Sequence, residues 1–115
     1  MITSFLQSCV ALYVPTTIHL NQPTDTMQYV QCVQVKFCNW FGGATTQQVT
    51  GDYTPDGDSE CVHETIYIVR SYCTTEQLEK YFLNVVELGK WLCHELDQEI
   101  VTGEKNGKMF FVDKN

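Results

Sequence analysis

At 115 residues and a net charge of −7, the chain is a single acidic domain, residues 1–115, able to bury roughly two-thirds of its unfolded surface around one core. Seven basic residues, with Arg70 the sole arginine, are too few and too scattered to neutralise a nucleic-acid backbone, which excludes direct nucleic-acid binding. A hydrophobic share of 43% includes no run near the ~18 apolar residues of a membrane span, so no membrane partner is expected.

Residues 1–8 are expected to be loosely packed. The first basic residue is Lys36, so the N-terminus lacks the charged opening of a secretory signal and the cytoplasm is the expected compartment. The apolar run 9–18 reads as a buried strand ending near Pro15. Asn21-Gln22-Pro23-Thr24 is turn chemistry. Asp25 is placed to cap a helix, with Gln28 three residues on completing a capping box. Val30, Val33, Phe37, Trp40 and Phe41 follow at helical spacing, and Gly42 stops the helix. One local conflict stands inside it: Val33-Gln34-Val35-Lys36-Phe37 alternates like a strand, and branched valines favour that state.

Thr45 to Tyr53 reads as a second strand and His63 to Arg70 as a third, joined as a hairpin through the turn Thr54-Pro55-Asp56-Gly57-Asp58. Thr74 and Gln77 form the capping box of a second helix. Its apolar stripe is Leu78, Phe82, Val85, Leu92 and Leu96. Gly89 lies on the same stripe and predicts close packing against the sheet, because glycine costs a helix about 1 kcal/mol relative to alanine. Ile100-Val101 opens a short strand. Asn106-Gly107 is a type I′ hairpin signal leading into Met109-Phe110-Phe111-Val112. The predicted fold is α+β: ferredoxin-like βαββαβ with an extra C-terminal β-hairpin strand, two helices on one face of an antiparallel sheet.

The motifs Phe41-Gly42-Gly43-Ala44-Thr45, Gly51-x-Tyr53, Asp56-Gly57, Glu64 and Gln98-Glu99-Ile100-Val101 resemble those of small, largely uncharacterised ferredoxin-like bacterial and mobile-element proteins. Tyr53 stands where that family usually has tryptophan. The resemblance covers roughly residues 10–112 and implies a fold more firmly than an activity. It also implies a diverged copy carried by a phage or plasmid.

Six cysteines (Cys9, Cys32, Cys38, Cys61, Cys73, Cys93) sit on predicted regular elements and form no C-x-x-C pair. They read as reduced thiols behaving as small hydrophobes. Cys73, just before a helix N-terminus, is the best placed as a nucleophile, since the dipole there favours thiolate; a buried thiol is the stronger expectation. His94-Glu95 fails as a zincin motif because Gln98 occupies the required histidine position. No metal site and no cofactor are expected.

The hairpin acids Asp52, Asp56, Asp58 and Glu60 fit a surface for a basic protein partner. The leading expectation is therefore a non-enzymatic binding protein, in concrete form an inhibitor of a host defence or nucleic-acid-handling protein, with homodimerisation expected by analogy with other ferredoxin-like sheets. The alternative is a small-ligand binder or enzyme for a nucleotide or anionic metabolite. It places Gly43, Thr45, Tyr53, Glu64, Arg70 and Gln98 around one polar pocket at a sheet end, with Arg70 pairing an anionic group and Glu64 as orienting group or base.

Overall fold

The computed structural model describes all residues except 20, 21, 55, 56, 58 and 59. Its elements are β1 (Ser8–Pro15), β2 (Thr17–Ile18), β3 (Gln22–Pro23), α1 (Met27–Phe41), β4 (Thr45–Tyr53), β5 (Val62–Cys73), α2 (Thr75–Glu95), β6 (Ile100–Lys105) and β7 (Lys108–Asp113). The main sheet is antiparallel with order β4-β5-β1-β6-β7. This is the expected ferredoxin-like arrangement with one strand added at an edge. A two-residue bridge, β2 against β3, was not foreseen. The turns assigned to Asn21 and to Pro55, Asp56 and Asp58 fall outside the described residues.

Period-two alternation on β1 decides which face is buried. Val10, Leu12 and Val14 point to the helices and are fully covered by Val30, Val33, Phe37, Val69, Val85, Leu92 and Val101, among others. Cys9, Ala11, Tyr13 and Pro15 point the other way. Register carries this division across the sheet: Leu12 faces Val69 and Gly103, so Glu64, Ile66, Ile68, Arg70 and Tyr72 share the helix-free face with Tyr13. Tyr67 and Tyr72 thus lie on opposite faces; Tyr67 packs against the core and Tyr72 is exposed.

Residues 33–37 are helical, and the competing strand pattern loses. Val33 and Phe37 enter the core while Val35 is left exposed, the outcome of a period of 3.6. The capping box predicted at Asp25 and Gln28 does not form. Thr26 occupies the N-cap and makes no side-chain cap bond, because its hydroxyl donates to Pro15 O at 2.7 Å. Asp25 instead accepts from Met27 N at 3.0 Å. At the other end Gly42, at φ 90°, is a left-handed C-cap donating to Cys38 O.

The Thr74–Gln77 box is present in both directions. Gly89 meets the sheet as expected: a Cβ there would stand 3.2 Å from a Val112 methyl. Asn106 and Gly107 both have positive φ, as a type I′ turn needs. Residues 1–7 carry no regular structure and are exposed, with Ser8 already buried in β1. No described helix is long and apolar enough to cross a membrane. All six cysteines are free, as read; two of them, Cys38 and Cys61, are exposed rather than buried or half-buried.

Candidate functional site

The six residues assigned to one pocket divide between two ends of the sheet. Glu64, Tyr53 and Gln98 gather where β4 ends, β5 begins and α2 hands over to β6. Gly43, Thr45 and Arg70 gather at the opposite end, around a cleft that also involves Tyr72. Glu64 and Arg70 share a face of β5 but stand six positions apart, roughly 20 Å at strand rise. A joint role on one ligand group is therefore ruled out by geometry.

Arg70 is committed elsewhere. It donates to Glu104 Oε2 at 2.9 Å and to Gln47 Oε1 at 3.2 Å, and the same Glu104 oxygen accepts from the Tyr13 hydroxyl at 2.5 Å. This chain of bonds crosses β4, β5, β1 and β6 on the helix-free face. Burial first, then the bond to Glu104, pushes the Tyr13 phenol up to about 12, so it stays protonated as a donor. Tyr13 and Glu104 were missed in the sequence. Alternation on residues 8–15 was the available signal, since it sets Tyr13 opposite the valine stripe.

At the first end the arrangement differs. Glu64 separates two clefts: one of about 80 Å³ with Tyr13, Pro15, Ile66, Gln98 and Thr102, and one of about 280 Å³ with Thr16, Tyr53 and His63. Each is smaller than the roughly 300–1,000 Å³ usual for small-ligand pockets, the second only slightly so. Glu64 is half-buried, and burial alone raises its carboxyl above the usual range. Among the described residues, no hydrogen bond or ion pair engages its side chain. Opposite it in register is Gly51, and the Ile66 side chain fills the space over that glycine: a Cβ there would stand 2.5 Å from Ile66 Cδ1. A partly desolvated carboxylate bordering a cleft, with no partner among the described residues, marks a candidate functional group.

Gln98 is the buried scaffold of this end. Its Nε2 donates to Thr17 O at 3.2 Å and Leu96 O at 3.3 Å, tying the turn before β6 to β2. Tyr53 is half-exposed on the same face as Glu64.

Other candidates offer less chemistry. A larger groove of about 460 Å³ runs between the helices, walled by Trp40, Leu88 and Trp91, but its charged groups, Lys36 and Glu87, are solvated. Cys73 is buried, and burial pushes its thiol up, with Cys9 adding to the effect; the helix dipole does not make it a nucleophile. His94 is exposed and contacts the Lys114 carbonyl. Of the four hairpin acids, Asp52 and Glu60 are exposed, and Asp56 and Asp58 lie outside the described residues.

Neither a family model nor a curated protein matches the chain. Two solved structures do. One is a phage SAM lyase in complex with S-methyl-5′-thioadenosine, at 17% identity and TM-score 0.66, covering 98% of this chain and 94% of that one. The other is a phage SAM lyase in the apo state, at 18% identity and TM-score 0.64, covering 98% and 96%. At such identity the likeness establishes the fold. It also overturns the expectation of a non-enzymatic inhibitor: the end-to-end match of this architecture is to an enzyme that holds a small nucleoside-derived molecule. The small-ligand alternative is the better supported reading.

Proposed function

We propose that this chain is an enzyme acting on S-adenosylmethionine, releasing S-methyl-5′-thioadenosine from it, with Glu64 at the centre of the site. The observation that carries the reading is the unpaired Glu64 carboxylate between two clefts, in a fold shared with a phage SAM lyase over 98% of the chain. Both similar structures are phage proteins, and a cytoplasmic location fits such a substrate.

The chemistry suits the site. Release of the thioadenosine breaks the bond between the sulfonium sulfur and the γ-carbon of the methionine moiety. The bonding pair stays on sulfur, which becomes a neutral thioether. The four-carbon fragment closes on its own carboxylate oxygen, so no water or other co-reactant is consumed. Opposite charges are annihilated in that step, and a cleft that sheds water favours it. Glu64 supplies the complementary charge that draws a cationic substrate in and holds it. Tyr53 offers a ring edge for the nucleoside half.

The test is incubation of the purified protein with S-adenosylmethionine and chromatographic detection of the thioadenosine. Release is expected, and Glu64→Gln is expected to weaken substrate binding roughly ten- to a hundredfold, the range for a hydrogen bond to a charged group. No product from the folded wild-type protein would sink the reading.

A further inference from the structure

We propose that Asp52, Cys61 and His63 form a binding site for a zinc-class divalent metal at the turn end of the β4–β5 hairpin. One ligand atom from each residue lies within 4.8 Å of the other two. The register produces this grouping. Asp52 and His63 are directly opposed across the strands, and their carboxylate and Nδ1 are already in contact. Cys61 stands just ahead of β5, two residues before His63, with its sulfur within reach of both other donors.

The donor set selects the metal. A thiolate, an imidazole and a single carboxylate are all zinc ligands, whereas calcium and magnesium take oxygen shells without sulfur. Bond lengths of roughly 2.0–2.3 Å place neighbouring donors of a tetrahedral metal roughly 3.3–3.6 Å apart, so closing the trio takes small side-chain movements. The metal takes the place of the proton between Asp52 and His63, and water fills the fourth position. All three residues are exposed, which leaves an open route for entry. Bound there, the ion ties β4 to β5 beside Tyr53. The site adjoins the cleft that Glu64 borders, since His63 also lines it, while the Glu64 side chain itself lies on the other face of the strand.

Cobalt(II) titration of the reduced full-length protein tests this. One equivalent is expected to give a thiolate-to-cobalt charge-transfer band that zinc abolishes by displacement. Cys61→Ser removes the band. Asp52→Asn and His63→Ala weaken binding at least about tenfold, the lower end of what even outer-shell losses cost. Cys38→Ser, at the other exposed cysteine, leaves the titration unchanged. Far-ultraviolet circular dichroism establishes that each variant is folded. No band in the folded wild type, a band surviving Cys61→Ser, or an affinity indifferent to His63→Ala would overturn the site.

Discussion

Glu64 and Arg70 are carried by one face of one strand, and their surroundings give them opposite tasks. Arg70 is held by Glu104 and Gln47, so it ties the strands together. Glu64 is desolvated without a partner, so it is available. Deprotonated Glu64 is the form that binds a cation, and burial delays its deprotonation. Affinity for S-adenosylmethionine is therefore expected to fall with acidification beginning at a pH above the ordinary carboxylate range. The pH profile of binding measured for wild type and Glu64→Gln checks this: the variant should lose that limb. Tyr13 gives a second test. Its folded pKa of about 12 exceeds its ordinary 10.0, so its share of stability is complete below about pH 10 and is lost as pH rises toward 12. Tyr13→Phe is expected to cost about 1 kcal/mol at neutral pH. The gap between the two proteins in urea unfolding should close over that alkaline window.

Among the elements, β6 and β7 show how a small residue sets a local geometry. A Cβ at Gly103 would stand 2.3 Å from Phe110 Cζ, because the Phe110 ring lies across the glycine and meets Phe82 edge-on at 5.2 Å. Gly103→Ala must displace that ring, and a loss of about 1–3 kcal/mol is expected in chemical denaturation. These elements were legible in the sequence wherever a local signal was unopposed: the Thr74 box, the Asn106-Gly107 turn and the stop at Gly42. The Asp25 box misled because a tertiary bond, Thr26 to Pro15, set the helix start instead. The site was half legible. Glu64, Tyr53 and Gln98 were named, but Gly43, Thr45 and Arg70 were joined to them because residue types carry no information about which end of a strand a neighbour reaches. The clasp of Tyr13 by Glu104 depends on a contact between residues 91 positions apart, which no local pattern encodes.

On the scale of the molecule, charge divides the proposed substrate from its proposed product. The protein carries −7, S-adenosylmethionine is cationic at its sulfur, and S-methyl-5′-thioadenosine is neutral there. Raising ionic strength is expected to weaken binding of the former and leave that of the latter nearly unchanged. Calorimetric titrations of both compounds at low and high salt would show the difference, and equal salt slopes would count against a charge-guided site.

The middle strand of the sheet, β1, is translated before either of its neighbours. Its two flanks arrive only after residue 62 and residue 100, and the final turn closes on it through Asn106 and Cys9, 97 positions apart. On the ribosome the sheet is thus unable to assemble outward from its centre. The nascent chain keeps an unsatisfied apolar ribbon until β6 has been made, and folding is governed by these distant closures rather than by helix formation.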